Sequence, residues 1–447
     1  MSSLQVTVSY RQILRIAGPI SLAMLVPNLN FIINNVFLGH LSEAALAVAS
    51  ITGVYYLIFS SIGYGLNNGL QALIARRAGE NRPGEIGKIF HQGILVAMGI
   101  ALLAVVLTYT VAPLVLRASV HKPEDAEAAL SYLHIRIWGL PFLYVYQMRN
   151  ALLVGTNNSK LLIAGTLIEA GANVLFDYGL IFGRLGMPRL GFNGAAYASI
   201  IAEFMGMFAI FLVIRMRGLD RKFSLFRKVA WDPENIRNIL QLSGPLVFQH
   251  AISIISWLFF YILIERNSTQ TGLAVSNTMR TIFGAFGVTV WAFAATSNAM
   301  VSNIIGQGKR EDVVRCIGMI MRVSTGIALV AFLFLFFFPH AYLSIYGRGA
   351  AFVDAGAPVV RVVASALMLM SMATVWLQAV TGTGNSRVTF LIELAAIIGY
   401  VTYVFLVLEH WKLSLVWAWG SEFLYWTIIL TLSYTYIRSG KWEKIHL

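Results

Sequence analysis

One apolar stretch, "LLIAGTLIEAGANVLFDYGLIFG", carries Glu169, Asn173 and Asp177 at four-residue spacing. In a helix that spacing puts all three on one face. A carboxylate in hydrocarbon must be paired, protonated or bound to a cation, because stripping water from its bare charge is costly. Asp177 is therefore the first candidate for ion chemistry. A second polar set lies in "PNLNFIINNVFLGH", where Asn30 and Asn34 share a helical face just past Pro27, with Asn28 and Asn35 beside them. Pro27 removes a backbone hydrogen bond and bends a helix, and flanking amides can satisfy the carbonyls it frees. Such amides serve equally well as interhelical glue. In the second half, Gln249 and His250 stand in one apolar run and Arg280 in the next. Arg280 can neutralise a carboxylate such as Glu393, or hold an anionic part of a bound molecule. Glu203, Glu393 and Glu422 read first as packing or interface groups, with Glu169 and Glu203 kept as possible ion-coupling groups.

The elements that must position these residues are membrane helices. The chain has 447 residues, 58% hydrophobic and 12% charged, with a mean hydropathy of +0.72. Soluble domains use about 25% charged residues. Apolar runs of about 20 residues recur along the chain, long enough to cross a bilayer as helices and about twice the length of barrel strands. Twelve spans are expected, near 13–38, 44–72, 89–113, 128–153, 160–182, 191–215, 237–264, 271–303, 312–339, 356–380, 388–408 and 412–437. The segment ahead of the first span lacks the short apolar core and cleavage site of a signal peptide, so that span is expected to remain in the mature protein. A net charge of +13 would suggest nucleic acid in a soluble protein. Here the Lys and Arg crowd alternate loops, including Arg76, Arg77, Arg82 and Lys88 in the second and Arg215, Arg217, Arg221 and Lys222 in the sixth. The positive-inside rule then puts both termini in the cytoplasm. No nucleic-acid partner is expected, and the single cysteine, Cys316, rules out an intrachain disulfide.

The chain also repeats itself at an offset of about 226 residues. Pro19 in "AGPI" answers Pro245 in "SGPL", Gly79 answers Gly306, Arg136 answers Arg361, "GTNNSK" from Gly155 answers "GTGNSR" from Gly382, and Glu203 answers Glu422. Each unit holds six spans, so both enter the membrane in the same sense, and a pseudo-two-fold axis along the membrane normal relates them. The expected fold is an all-α membrane protein with twelve transmembrane helices in two lobes. The N-terminal lobe is 1–214, a basic cytoplasmic linker 215–237, and the C-terminal lobe 238–447. Two such bundles facing each other enclose a cleft that rocking exposes to either side. No GxxxxGK[ST] phosphate loop occurs, which leaves an ion gradient as the common energy source.

Taken together, these residues resemble the multidrug and toxic compound extrusion (MATE) family. The resemblance covers essentially the whole chain: "AGPI" and "SGPL" opening each lobe, "GHLSEAALAVAS" after the first span, "GTNNSK" and "GTGNSR" before the fifth and eleventh, and "NVLFDYGLIFG" followed by "GFNGAAYAS". It implies antiport, the export of bulky organic compounds against inward flow of Na⁺ or H⁺ by rocking between outward-open and inward-open states. It also implies an N-lobe cation site made by an acid in the first span, an Asn and Asp in the fifth and a hydroxyl from the sixth. Asn173 and Asp177 match the fifth-span pair and Ser199 the hydroxyl, but the first-span acid is Asn34 here. Oxygen ligands around one carboxylate suit Na⁺, and the same carboxylate out of water can carry H⁺ instead.

Many relatives have an acid in the seventh span, where this chain has Gln249 and His250. With Arg280 nearby, a cavity of that kind points to a zwitterionic, anionic or amphipathic cargo. The resulting expectation is a monomeric, multi-pass transporter of the cytoplasmic (inner) membrane. It takes a small organic substrate and needs no cofactor beyond its coupling ion, Na⁺ or H⁺, with Asp177 and Asn173 as metal ligands if that ion is sodium. The alternative is a flippase for a lipid-linked or amphipathic precursor. A channel fits duplicated lobes less well, and an intramembrane enzyme has little support because no HExxH-type spacing occurs.

Overall fold

The computed structural model describes residues 4–119, 122–225 and 231–444, although inside helices a few side chains, among them those of Pro27, Asn28, Asn30 and Asn35, lie outside the described set. All regular structure among the described residues is helical, and it makes twelve passes. Spans 1 to 3 are Tyr10–Leu41, Glu43–Gly79 and Pro83–Thr110. Span 4 is broken, with Pro123–Arg136 and Leu140–Gly155 joined by the tight turn Ile137–Gly139. Spans 5 and 6 are Leu162–Phe182 and Phe192–Met216. The second lobe follows with span 7, Pro233–Asn267, span 8, Gln270–Gly306, and span 9, Asp312–Phe337. Spans 10 to 12 are Ala350–Gly382, Ser386–Phe405 and Ser421–Arg438. Nine of the helices are long and apolar enough by themselves to cross a membrane. The others are span 1, span 2 and the divided span 4.

Polar caps set several of the helix starts, since the first turn leaves backbone N–H groups without intrahelical acceptors. Ser9 accepts from Gln12 N, Ser42 from Ala45 N, Asp232 from Asn235 N and Thr269 from Gly272 N. Span 1 is assigned as one helix through position 27. The bend expected at Pro27 and the Asn30 side chain fall outside the described residues.

The lobes meet through spans 2 and 8 in a reciprocal pattern. Gln71 donates to Ala295 O at 2.9 Å, and its repeat counterpart Asn298 donates to Asn68 O at 3.1 Å. A Cβ on Gly79 would run into the Asn303 carbonyl, and one on Gly306 into the Arg76 carbonyl. Glycine at both positions is what lets the two backbones approach. Ser302 adds a bond to Ala72 O at 2.7 Å, and Arg76 reaches across to Thr383 O at 3.1 Å. These bonds gather at the end of the molecule that carries the N-terminus and the linker. They close the two lobes together at that end.

The segment before span 1 reinforces that closed end. Asn303 accepts from Val6 N at 3.1 Å and donates to Leu4 O at 2.9 Å, while Gln307 donates to Val6 O at 2.9 Å. Gln5 donates to Gly79 O at 2.9 Å. Leu4 and Val6 are buried in an apolar core that runs through both lobes. The N-terminal segment therefore straps the two lobes together.

Candidate functional site

Spans 1, 5 and 6 come together through a small apolar cluster of Leu38, Ile181 and Ala195, with Phe37 and Phe182 around it. Phe37 lies between Tyr178 and Phe182 of span 5, its ring 6.4 Å and 5.9 Å from theirs. Spans 1 and 5 run the same way and span 6 runs against them. One turn toward the closed end from this cluster therefore brings Asn34, Asp177 and Ser199 to one level. Asn173 follows one turn below Asp177. The close seam between spans 5 and 6 holds this register, because a Cβ on Gly206 would lie 2.8 Å from Glu169 Cβ. Glu169 is thereby placed two turns from Asp177 on the same face.

Asp177 is fully buried, and neither of its carboxylate oxygens has a hydrogen-bond partner among the described residues. Asn34 Oδ1 is likewise buried without one. Asn173 is buried and Ser199 half-buried. A wholly desolvated carboxylate without a hydrogen bond is expensive to keep. Here it stands with amide and hydroxyl oxygens at its own level and one turn away, a donor set that suits an alkali cation or a proton.

The neighbouring charge is handled differently. Glu203, one turn below Ser199, makes a bidentate ion pair with Arg136 at 2.8 and 2.5 Å. Arg136 also lies 3.8 Å from the centre of the Tyr56 ring, and Tyr56 OH donates to Glu203 at 3.3 Å. Gly139, in the tight turn after Arg136, leaves the room for this pair, since a Cβ there would strike both Glu203 Oε2 and Arg136 Nη1. In the sequence the signal for Arg136 is its repeat match to Arg361, one basic residue at the same place in each lobe.

In the C-terminal lobe the expected cavity residues do not form one constellation. Gln249 is buried and donates toward Glu393 at 3.5 Å, while His250 Nε2 is buried without a partner among the described residues. Arg280 is exposed and stands 5.7 Å from the Tyr261 ring. None of the ion pairs among the described residues joins Arg280 to Glu393. Arg280 therefore does not neutralise Glu393 as the sequence suggested. Hydroxyls satisfy Glu393 instead, from Ser253 at 2.6 Å and from Tyr425.

A duplicated six-helix bundle with a bare carboxylate buried inside one lobe has the form of a membrane transporter. The MatE family profile matches residues 19–179 and again 245–406, one match in each lobe. This chain belongs to the MATE family, whose members are transporters and not enzymes. It is 22% identical over 416 residues to a probable multidrug resistance protein NorM of Thermotoga maritima, covering 91% of this chain and 88% of that one. A NorM of Pseudomonas aeruginosa is 24% identical over 408 residues, covering 87% and 80%.

Among solved structures, a MATE transporter in complex with MaL6 superposes with a TM-score of 0.90 at 16% identity, over 98% of this chain and 97% of its own. A MOP-superfamily transporter from Pyrococcus furiosus, described as having a binding pocket of reverse polarity, gives 0.88 at 16% over 98% and 96%. These likenesses establish the twelve-helix, two-lobe fold.

Proposed function

We propose that this protein is an ion-coupled antiporter that exports organic, drug-like compounds by rocking its lobes about the cleft, with Na⁺ or H⁺ bound at Asp177. The observation that carries the reading is the Asp177 carboxylate, fully buried and without a hydrogen bond, at one level with Asn34 and Ser199. The multidrug resistance proteins among its relatives support the cargo class. Binding a cation or proton removes the cost of the buried charge. An ion drives the cycle only if it binds the two cleft states unequally. The seam beside Asp177 supplies that inequality, because any shift of span 1 against spans 5 and 6 moves Asn34 and Ser199 relative to the carboxylate. With the termini in the cytoplasm, the end at which the lobes are joined is the cytoplasmic one, as an outward-open state requires. In that state Arg280 is exposed and free of an acid, which favours cargo with an anionic or zwitterionic part.

The test is transport in proteoliposomes under a Na⁺ gradient or a pH gradient imposed separately, with cationic, zwitterionic and anionic dyes. Efflux driven by one gradient and lost in Asp177→Asn is the expected result and names the ion. If neither gradient drives any dye and Asp177→Asn behaves as wild type in binding, the reading fails and a lipid-linked cargo takes its place.

A further inference from the structure

Glu393 is a second buried carboxylate that the reading above leaves without a task. It is 3% exposed on span 11. Its Oε1 accepts from Ser253 Oγ at 2.6 Å and from Tyr425 OH, and its Oε2 faces Gln249 Nε2 at 3.5 Å. It belongs to none of the ion pairs among the described residues. We propose that Glu393 is a second proton-exchange site, built into the C-terminal lobe from span 11 and its hydroxyl and amide shell.

The chemistry of that shell is the main argument. Two hydroxyls and a primary amide can each donate to a carboxylate, and each can accept from a carboxylic acid after a rotation. When the carboxylate takes a proton, its new O–H is received by Gln249 Oε1 or by a hydroxyl oxygen, and when the proton leaves, the donors turn back. A shell of this kind fits both states, and no group has to be left unsatisfied. Glu203 shows the contrast, because the Arg136 guanidinium has donors only and offers no acceptor to a carboxylic acid.

Placement in the fold is the second argument. Glu393 follows Gly382 as Thr166 follows Gly155, so Thr166 is its repeat counterpart on span 5. Asp177 lies about three turns further along span 5 than Thr166, hence on the same helix face and about 16 Å away in depth. Each lobe therefore offers, from the same face of its equivalent helix, a buried carboxylate without an ion-pair partner. The elements packed around Glu393 bring few other titratable groups. Span 12 brings Tyr425 and Glu422, the latter already hydrogen-bonded by Trp426 Nε1 at 2.9 Å. Span 7 has His250 beside Gln249, span 11 itself has Tyr400, and span 10 has none between Arg361 and Gly382. Two exchange sites at different depths would let the two lobes bind protons at different stages of the cycle.

The proposal rests on the antiport reading for its purpose, but proton binding is measurable without cargo. Infrared difference spectra of the full-length protein in liposomes, taken while pH is stepped, report each carboxyl group that becomes protonated through its C=O stretch. Wild type is expected to show a component that is lost in Glu393→Gln, kept in Asp177→Asn and moved in frequency in Glu393→Asp. A Glu393→Gln spectrum superimposable on wild type would overturn the proposal. If Glu393→Gln does not fold, an unmoved band in Glu393→Asp overturns it equally. Absence of an Asp177 component with the Glu393 component intact would count against proton coupling at Asp177 while leaving this site standing.

Discussion

The two lobes share a fold and differ in what they bury at the same places. Carrying the repeat across, Asn34, Asn173, Asp177 and Ser199 correspond to Phe260, Tyr400, Val404 and Ala418. The second set is buried as well, but as an aromatic and aliphatic cluster, with the Phe260 ring 5.8 Å from Tyr400 and 5.0 Å from Trp419. The ion pair differs in the same way. Arg136 and Glu203 bind each other, whereas Arg361 turns outward to the Phe336 carbonyl and Glu422 takes the Trp426 indole. Ala364 stands where Gly139 leaves room in the first lobe, so the second lobe carries the Cβ that the pair would not tolerate. A duplicated backbone thus fixes where a buried group sits, and the side chains decide whether that place holds charge.

The contrast is most exposed at Asp177. Asp177→Asn is expected to reduce ion-driven dye efflux to the level of protein-free liposomes, while Val404→Ala at the counterpart position keeps most of it. Equal losses in the two variants would mean that the lobes are not chemically distinct.

Next in size is the ion pair. Arg136→Leu leaves Glu203 buried and unpaired and should cost about 3–5 kcal/mol, with Arg136→Leu/Glu203→Leu recovering most of that loss. Arg361→Leu, exposed and without an acid, should stay within about 0.5 kcal/mol. Thermal unfolding in detergent measures all three, and a large loss in Arg361→Leu would break the comparison.

A smaller effect follows at the turn in span 4. Gly139→Ala should cost about 1–3 kcal/mol by crowding the pair. If it is silent in the same unfolding assay, the room at Gly139 is not what admits Arg136 and Glu203. An effect of similar size concerns the seam between lobes. Asn303→Ala removes two bonds to the N-terminal segment, each worth about 0.5–1.5 kcal/mol. A cysteine placed at Gln5 should then react faster with a water-soluble maleimide, against a background kept silent by the buried Cys316. An unchanged rate would mean that the strap does not depend on Asn303.

Much of this was legible in the residues. The twelve passes, the duplication and the isolation of Asp177 follow from hydropathy, from the "GTNNSK" and "GTGNSR" repeat and from one acid in an apolar run. These are local or periodic signals, and helices in a membrane must satisfy their own backbone, which leaves few alternatives. The Arg136 and Glu203 pair was not legible, because the two residues stand 67 positions apart and Glu203 was consistent with a packing or interface role. Nor was the shell of Glu393, whose Ser253 and Tyr425 come from spans 7 and 12 and look like ordinary polar residues in their own helices.

The sequence by itself therefore determined the number of spans, the two-lobe symmetry and which carboxylates lie in the membrane, since each depends on composition along one helix. The tertiary structure alone decided which of those carboxylates are compensated. That depends on which helix faces meet, on whether a glycine such as Gly139 or Gly206 lets them close, and on the donors that then fall within about 3 Å of an oxygen.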